Sequence, residues 1–441
     1  MSRLTLTSEL LAKLRTELLK SGDEACAIMF GRSIVKNGRL ARIVVRDIQW
    51  TTSHDYLERT KVAARLRPEL VATVTQRARK RGDSLVFVHS HPFAMNQFSP
   101  VDDAGENVLV EFLDRRMSGV VHAAMLITPQ VTLARILGSG EPLHVIGVGS
   151  QLLWGMEAPT EADEAFFDRQ VRAFGAAGQD RLREMRIGIV GLGGTGSIIL
   201  EQLAHLGIRR FLLIDPDVVE RTNLNRLVGA TESDIGKSKV QVAAAYATRI
   251  NPSADIEIRR GSVLLAREAE ELVATDFVFC CTDSQGSRAV LNQFAYQYLV
   301  PVIDMGVAIV VAEGAISHIA GRTQMLAPGL GCLVCGDFLN PEAVRVDLLT
   351  DFERAADPYV VGIHEAAPAV VSLNATVASM AVTMFLAATV GVPSQARLLN
   401  YNGLTGATRP AAISPHPTCI ACSYSGSLAR ANEYPLPARL S

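Results

Sequence analysis

One stretch constrains the fold of this chain more than any other: residues 185–197 read MRIGIVGLGGTGS. An apolar strand runs there into closely spaced glycines, and the helix-forming segment SIILEQLAHLG overlaps and extends it. A second apolar strand, RRFLLIDPD, comes next. Strand, glycine loop, helix and strand in this order make a βαβ unit, so the pattern predicts a doubly wound, nucleotide-binding α/β fold.

The glycine loop has the spacing of a phosphate-binding turn. Gly191, Gly193 and Gly196 stand in a G-x-G-x-x-G pattern, which permits a tight turn, close approach of phosphate and close packing of the helix. The N-terminus of that helix adds a field that favours anions. Asp215 ends the next strand, 19 residues after Gly196, where a carboxylate can hold a ribose hydroxyl. These features alone fit NAD as well as ATP.

The residues after Asp215 favour ATP. The segments DPDVVERTNLNRL and DIGKSK place Asn223, Arg226 and Lys239 just beyond the ribose-binding acid. A dehydrogenase does not need cations there, whereas an adenylating enzyme must stabilise the charge of departing pyrophosphate. Asp283 ends the strand FVFCCTD at the same crevice, where an acid can hold Mg²⁺. Taken singly, Arg226 and Lys239 would be read as surface charges.

Together these segments resemble the E1/ThiF/MoeB/HesA family over residues 165–425, with FDRQV and two CxxC pairs adding to the match. The resemblance implies these nucleotide contacts: ribose at Asp215, phosphates at Asn223, Arg226 and Lys239, and magnesium at Asp283. It also implies that Arg169 reaches the γ-phosphate of ATP in a partner protomer, and hence a homodimer. The family adenylates the C-terminal glycine of a ubiquitin-like protein. One departure is GGTGS where GGLGS is usual.

A second motif lies in the N-terminal part, where the strand SLVFVHSH runs into HSHP. His89 and His91 are two residues apart, so their side chains point to one side, and Asp102 in the first turn of the next helix can complete the set. Two imidazoles and a carboxylate leave a fourth zinc position open for water. Glu24 is a candidate base, and Ser99 a candidate donor to an oxyanion. The alternative is a turn with two solvated histidines and a helix N-terminal acid.

The spacing Glu24, H-x-H, seven residues, S-x-x-D resembles the JAMM (MPN+/JAB) metalloproteases over roughly residues 1–140. That family has a cytidine-deaminase-like α/β fold and cleaves peptide or isopeptide bonds after the C-terminal glycine of ubiquitin-like proteins. The resemblance implies catalytic zinc with ligands His89, His91 and Asp102, Glu24 as general acid/base, and Ser99 assisting the oxyanion. Since no key position departs from the pattern, we expect an active enzyme.

The chain contains seven cysteines, and an odd count without an export signal argues against a disulfide framework. Four of them form two CxxC pairs, Cys332 with Cys335 and Cys419 with Cys422, which are 84 residues apart (419 − 335). Four thiolates suit a closed, structural zinc site. A redox CxxC is the competing interpretation, but two pairs without a thioredoxin-like context favour zinc.

Many E1 enzymes carry a further cysteine that accepts the activated protein as a thioester, in the segment after the first CxxC. Residues 336–418 contain no cysteine. Cys280 and Cys281 lie in an apolar strand, and Cys26 belongs to the N-terminal part. We therefore expect no dedicated thioester cysteine: the adenylate passes to an external nucleophile or to a hydroxyl, for which Thr350 is the candidate.

Composition bounds the remaining possibilities. A length of 441 residues predicts two or three domains, and a boundary near residue 155 separates a domain over 1–150 from one over 155–441. With 48% hydrophobic and 20% charged residues, large cores can form. A formal net charge of -2 gives no reason to expect binding to nucleic acid or to an anionic membrane.

Two segments bear on localisation. The first 24 residues, broken by charges, predict an amphipathic helix rather than a signal peptide. The uncharged run from Ala366 to Val392 is long enough to span a membrane, but its small and hydroxyl-bearing residues favour a buried helix. A cytoplasmic protein is expected.

The sequence thus predicts a bifunctional enzyme: an N-terminal zinc isopeptidase joined to a C-terminal adenylating domain that uses ATP and Mg²⁺. The predicted partners are a ubiquitin-like protein with a C-terminal glycine, an E2-like protein and a second copy of the chain. Three alternatives remain open: a sulfur-carrier or natural-product peptide-activating adenylyltransferase, a non-catalytic scaffold and, more distantly, an NAD oxidoreductase. The motifs do not identify the modifier, nor choose between precursor processing and deconjugation.

Overall fold

The computed structural model describes residues 2–93, 95–156, 164–357 and 368–440. The chain divides into two compact units, Met1–Glu157 with Leu428–Tyr434 and Ala158–Ser427 with Pro435–Ser441. No sequence pattern indicated that the stretch Leu428–Tyr434 groups with the first unit. Each unit is an α/β structure built around one large sheet.

The first unit is dominated by an eight-stranded sheet in the order β1-β3-β2-β6-β7-β8-β9-β10. Because β1 pairs with β9 as well as with β3, the sheet closes on itself. β4 and β5 form a separate hairpin. The strands are β1 (Arg3–Thr7), β2 (Cys26–Lys36), β3 (Arg39–Trp50), β4 (Tyr56–Arg59), β5 (Ala64–Leu66), β6 (Ser84–Ser90), β7 (Ala123–Ile127), β8 (Thr132–Ile136), β9 (Pro142–Val148) and β10 (Leu153–Trp154), and the helices are α1 (Ser8–Leu18), α2 (Pro68–Arg81) and α3 (Pro100–Asp114).

Helices cover both faces of this sheet, and alternate strand residues enter different cores. Along β2, Ala27 and Met29 pack with the leucines of α1, whereas Ile28 and Phe30 pack with residues of α2 and α3. This period of two is what a strand between two apolar layers requires. The same alternation along β6 determines which face of the sheet each of its last residues, His89 and Ser90, points to.

The prediction of a helix from the N-terminus was wrong for the first residues. Residues 3–7 form β1, all five of them buried, between β3 and β9. The helix α1 begins only at Ser8, where the Thr7 side chain accepts the N–H of Leu10. The alternation of apolar and polar residues in RLTLT is typical of a strand. Its polar residues are buried as well because β3 and β9, distant in sequence, pair with its two edges. The strands β9 and β10 and the hairpin β4–β5 were not predicted either.

The second unit has an eight-stranded sheet in the order β13-β12-β11-β14-β15-β16-β17-β18. Its first five strands pair in parallel, and the pairs from β15 to β18 are antiparallel. The strands are β11 (Arg186–Val190), β12 (Arg210–Ile214), β13 (Asp255–Arg259), β14 (Phe277–Cys280), β15 (Val302–Ala312), β16 (Ala315–Leu326), β17 (Leu398–Asn402) and β18 (Ala407–Pro410). The helices are α4 (Glu164–Glu184), α5 (Gly194–His205), α6 (Lys239–Ile250), α7 (Ala266–Glu271), α8 (Gln285–Gln297), α9 (Pro341–Leu348), α10 (Asp351–Ala356) and α11 (Val371–Thr389). The predicted doubly wound α/β fold is confirmed.

The helix predicted within 366–392 is α11, which packs against α5, β15 and β16; its predicted first residues, 366 and 367, lie outside the described part of the chain. Among the described residues it is the one helix whose length and composition would let it cross a membrane, and half of its apolar window is buried. The core helix of a soluble protein passes the same test.

A buried histidine makes the stability of the first unit depend on pH. His122, just before β7, accepts the N–H of Leu85 at Nδ1 (3.0 Å), and its Nε2 is buried without a hydrogen-bond partner among the described residues. Burial lowers the pKa of His122 from 6.5 to about 4. The unfolded chain therefore takes up this proton first as the pH falls.

We predict that the first unit loses stability between pH 6.5 and pH 4, by about 3 kcal/mol for this group, with no further loss from it at lower pH. His122→Asn keeps an acceptor near the Leu85 N–H and removes the titration. Both tryptophans of the chain, Trp50 and Trp154, lie in this unit, so urea unfolding followed by tryptophan fluorescence reports on it. Equal pH dependence in the wild type and His122→Asn would contradict the prediction.

Candidate functional sites

The structure brings the three predicted metal ligands of the first unit together. His89 is the penultimate residue of β6, His91 follows that strand, and Asp102 is in the first turn of α3. The Nε2 atom of His89 lies 3.2 Å from Oδ1 of Asp102, and that of His91 lies 3.4 Å from Oδ2. Ligand atoms of all three residues lie within 4.8 Å of one another.

Backbone and side-chain hydrogen bonds hold this geometry. The N–H of His91 donates to the carbonyl of Ile127 on β7 (2.9 Å). Its Nδ1 lies 3.2 Å from the carbonyl oxygen of Met95, which can only accept, so Nδ1 is a donor there and Nε2 is the ring nitrogen that could ligate a cation in the cluster. Ser99 caps α3: its Oγ accepts the N–H of Asp102 (3.2 Å) and donates to Oδ2 (2.7 Å). The helix cap therefore positions the carboxylate.

The donor set fits a divalent cation. The Nε2 atom of His89 is buried and makes no hydrogen bond to any described residue, although a carboxylate oxygen lies 3.2 Å away. A buried ring nitrogen without a partner is costly unless something else satisfies it. Two imidazole nitrogens and one carboxylate are the set that catalytic zinc takes in hydrolases.

Glu24 lies beside this cluster, two residues before β2, with Oε1 3.7 Å from Nε2 of His91. Burial raises the pKa of Glu24, although the nearby imidazoles of His91 and His89 lower it. The raised pKa favours uptake of a proton by this carboxylate. The hairpin β4–β5 fixes its backbone, because the Glu24 N–H donates to the Thr60 carbonyl (2.8 Å) and Arg59 Nε donates to the Glu24 carbonyl (2.9 Å). Sequence reasoning missed Arg59, Thr60 and Met95, which carry no motif of their own.

The four predicted cysteines also meet. The Sγ atoms of Cys332 and Cys335 lie 3.7 Å apart, Cys332 and Cys419 3.5 Å apart, and Cys335 and Cys422 3.5 Å apart. Backbone N–H groups of Cys335 and His416 donate to two of these sulfurs. Four convergent sulfurs fit a closed, structural metal site that joins two distant segments of the second unit.

In the glycine loop of the second unit the three glycines differ in what surrounds them. Gly191 has φ +88°, in the left-handed region that favours glycine. A Cβ on Gly196 would lie 1.9 Å from the carbonyl oxygen of Gly191, so only glycine lets α5 approach the turn this closely. A Cβ on Gly193 would meet nothing within 4 Å. Gly193, the N-cap of α5, makes no side-chain cap and leaves the helix N-terminus open.

Asp215 ties this loop to the end of β12. Its Oδ2 accepts the N–H of Leu192 (2.6 Å) and its Oδ1 accepts the N–H of Asp217 (2.8 Å). The side chain is buried, and burial raises the pKa of Asp215 while the Leu192 N–H lowers it. Each carboxylate oxygen keeps a second lone pair, so a ribose hydroxyl could still donate to it.

The two predicted phosphate-binding cations have different surroundings. Lys239 begins α6 and pairs with the exposed carboxylate of Asp217 (2.8 Å). Arg226 donates to the carbonyl of Thr222 (2.7 Å), and its Cδ lies 3.5 Å from where a Cβ on Gly194 would be. Arg226 therefore contacts the first turn of α5, where phosphate would bind.

The remaining predicted residues, Asn223, Asp283 and Arg169, form no hydrogen bond to the glycine loop within the described part of the chain. One residue near that loop was not predicted. Asn223 accepts the N–H of Glu220 (3.1 Å), Asp283 is exposed beyond β14, and Arg169 is exposed on α4. The missed residue is Asn374 on α11, whose Nδ2 is 2.2 Å from the Cβ position of Gly194. A buried asparagine in an apolar helix was the available signal.

No cysteine outside the four-sulfur cluster is activated among the described residues. Burial raises the pKa of Cys26 to about 12 and also raises those of Cys280 and Cys281, which disfavours their thiolates. The Thr350 hydroxyl donates to Glu353 (2.8 Å) and accepts its N–H (3.2 Å), which is a capping box for α10.

Substitution by alanine should affect the stability of the second unit differently at two glycines of the same loop. Gly196→Ala forces Cβ against a backbone oxygen and should destabilise the second unit by several kcal/mol or prevent its folding. Gly193→Ala has free space and a φ of -81°, so it should fold like the wild type. Thermal unfolding followed by circular dichroism tests both, and a Gly196→Ala protein as stable as Gly193→Ala would contradict the described loop.

Comparison with known proteins finds a family model for each of the two parts of the chain. The family model described as "ThiF family" matches residues 167–421, and that described as "Prokaryotic homologs of the JAB domain" matches residues 6–136. The chain is 29% identical over 254 residues to the SAMP-activating enzyme E1 of Haloferax volcanii, covering 57% of this chain and 85% of that protein. It is 29% identical over 262 residues to the molybdopterin-synthase adenylyltransferase of Escherichia coli, covering 58% and 95%.

A shorter match and a solved structure complete the comparison. The ubiquitin-like modifier-activating enzyme 5 of Drosophila willistoni is 30% identical over 169 residues, which is 35% of this chain and 40% of that protein. A crystal structure of MccB from Escherichia coli superposes with a TM-score of 0.47 at 18% identity, over 60% of this chain and 73% of that one. Since the ThiF model alone spans more than half of the residues, the chain belongs to the ThiF family, with a JAB-type domain preceding its ThiF domain.

Proposed function

We propose that this chain both cuts and activates the tail of one ubiquitin-like protein. The second unit adenylates the C-terminal glycine with ATP and Mg²⁺, and the first unit hydrolyses peptide or isopeptide bonds after that glycine. The observation that carries the proposal is that one chain contains a complete His-His-Asp set with Glu24 beside it and an intact glycine loop with Asp215 behind it.

The relatives support the class of substrate. Two of them are named as enzymes that activate SAMP or a ubiquitin-like modifier, and a third as an adenylyltransferase. The cleaving activity rests on the JAB-type family model and on the geometry around His89 and His91.

Adenylation requires the glycine carboxylate to attack the α-phosphorus of ATP while the bond to the bridging oxygen of pyrophosphate breaks. The residues present suit this step. Asp215 can hold the ribose, the open first turn of α5 at Gly193 can face phosphate, and Arg226 can stabilise the pyrophosphate charge. Lys239 would exchange Asp217 for phosphate. Mg²⁺ held at Asp283 would add charge stabilisation to the leaving group.

Hydrolysis in the first unit follows from its donors. Zinc held by His89, His91 and Asp102 would polarise the scissile carbonyl and lower the pKa of a water molecule. Glu24 accepts the proton of that water and returns it to the departing amine. Ser99 holds Asp102 through the helix cap, and we propose that its hydroxyl turns its single proton from Oδ2 of Asp102 to the oxyanion as that charge develops. A second zinc, at the four cysteines, would be structural.

The product adenylate is proposed to pass to a nucleophile outside this chain, carried by an E2-like protein or by the final acceptor, because no activated thiol is found among the described residues. We also propose a homodimer in which Arg169, exposed on α4, completes the nucleotide site of the partner protomer. We place these steps in the cytoplasm.

The adenylating activity is tested by pyrophosphate release from ATP-Mg in the presence of the ubiquitin-like protein encoded nearest the gene, trimmed to its terminal glycine. We expect release that requires this glycine. Asp283→Ala should reduce it by about a hundredfold or more, because charge on the leaving group is no longer neutralised. Arg249→Ala, an exposed charge on α6, serves as control. No release by the wild type would contradict the proposal.

The same assay tests the dimer. Arg169→Ala and Asp283→Ala should each be inactive alone, yet a mixture should regain activity, since a mixed dimer holds one site with Asp283 from one protomer and Arg169 from the other. A mixture as inactive as its components would show that Arg169 does not act across a dimer.

The metal assignments predict two zinc ions per chain. His91→Ala should reduce the zinc content to one ion while the chain stays folded, and the double variant Cys419→Ser/Cys422→Ser should lose the other ion together with stability of the second unit. Elemental analysis and thermal unfolding measure both effects. Zinc content unchanged in either variant would remove the corresponding site from the account.

A further inference from the structure

The antiparallel part of the second unit contains a cavity of about 590 Å³ that none of the predicted sites uses. It lies on one face of β15 to β18, and the strand register orders its lining into rows. The first row places Gly306, Arg322, Asn400 and Arg409 side by side. Two residues further along each strand, the second row consists of Ala308, Ala320, Asn402 and Ala407, and three of these four residues are small.

The helix α11 covers the opposite face of these strands, and α8 reaches the cavity only at its edge, through Arg288. A Cβ on Gly321 would be 2.7 Å from Val377 of α11, and Thr323 donates to the Val377 carbonyl. Since strand residues alternate between faces, Arg322, Ala320 and His318 point away from α11, into the cavity. From Arg322 to His318 is roughly 13 Å along the strand, about the reach of four extended residues.

The cavity carries uncompensated positive charge. Arg322 pairs with the fully buried Asp304 (2.5 Å), and Arg288 Nε lies 3.5 Å from the other oxygen of the same carboxylate. Two guanidinium groups thus share one acid. Arg409 adds a third guanidinium, which is exposed, and none of the described residues that line the cavity is acidic. The side chains of Arg288 and Arg322 are only 14% and 15% exposed, so the positive charge that Asp304 leaves uncompensated is partly desolvated and would be stabilised by an anionic ligand.

Neighbouring side chains fix the orientation of Arg322 before any ligand binds. The guanidinium of Arg322 stacks on the ring of Phe338 (3.8 Å to the centroid) and donates to Gln324 as well as to Asp304. Little side-chain freedom is left to lose on binding. Asn400 and Asn402 add amide groups that can bond to a peptide backbone.

The position of the cavity relates it to the predicted nucleotide site. The parallel pairing of β14 and β15 ends at Cys280 and Asp304, and the cavity begins just beyond, at Gly306. Arg288 donates to the carbonyl of Thr282 (3.3 Å), the residue before Asp283. A peptide whose terminal carboxylate meets ATP at the carboxyl edge of this sheet could therefore run along the floor of the cavity.

We propose that this cavity selects ubiquitin-like tails that carry an acidic side chain shortly before the terminal glycine. The carboxylate binds between Arg322 and Arg409, and the small residues of the second row leave room for the tail's backbone. The inference rests on the proposed adenylation of such a tail, but binding to the cavity can be measured without ATP.

The test uses the full chain and short fluorescein-labelled peptides that end in glycine and differ only in carrying glutamate, glutamine or lysine before it. Anisotropy titration should show the glutamate peptide binding about tenfold more tightly than the glutamine peptide, and more weakly as salt rises. Arg409→Ala, on an exposed edge strand, should abolish this preference, whereas Arg249→Ala should keep it.

Equal binding of the glutamate and glutamine peptides, or a preference that survives Arg409→Ala, would overturn the inference. Displacement of the glutamate peptide by inorganic phosphate at the same concentration as by the unlabelled peptide would also overturn it, since the cavity would then be a general anion site. If the preference and its dependence on Arg409 hold while no peptide elicits pyrophosphate release, the selectivity stands and the proposed adenylation fails.

Discussion

Both sites depend on how the first backbone N–H groups of a helix are satisfied where a buried strand ends. These groups have no partner within their own helix. In the first unit α3 satisfies them itself, because Ser99 and Asp102 cap each other and the helix. In the second unit Gly193 has no side chain that could satisfy the first N–H groups of α5. The capped terminus holds a predicted metal ligand in place, and a terminus without a side-chain cap suits phosphate.

The same contrast explains which residue types each site requires. At α3 the capping box consumes one carboxylate oxygen of Asp102 in hydrogen bonds from Ser99 and leaves the other facing His89. At α5 any side chain on Gly196 would collide with the turn, and Asp215 holds the turn through the Leu192 N–H. The helix-cap interpretation of Asp102 is thus partly correct: Asp102 takes part in the cap of α3, and that cap positions its carboxylate beside His89.

The sequence predicted the parts of the fold and of the sites that are local. Three motifs were recognisable because each brings its residues together within a short stretch or as a pair. They are the strand–glycine–helix unit, the H-x-H before a capped helix, and the CxxC pairs. What it did not predict depends on long-range pairing. β1 is a strand because β3 and β9 bury it, and Arg59 and Thr60 reach Glu24 only through an unpredicted hairpin. The cavity at Arg322 exists through the register of four strands, which no motif specifies.

The central claim is that both units act on one tail, so that the first unit can cleave after the glycine that the second unit adenylates. The most direct test offers the chain a modifier precursor extended beyond its glycine and follows pyrophosphate release. We expect release from the precursor by the wild type, none by Glu24→Gln, and release by both proteins once the precursor is trimmed beforehand. Release from the precursor by Glu24→Gln equal to that of the wild type would contradict the account, because activation would then not depend on cleavage by the first unit.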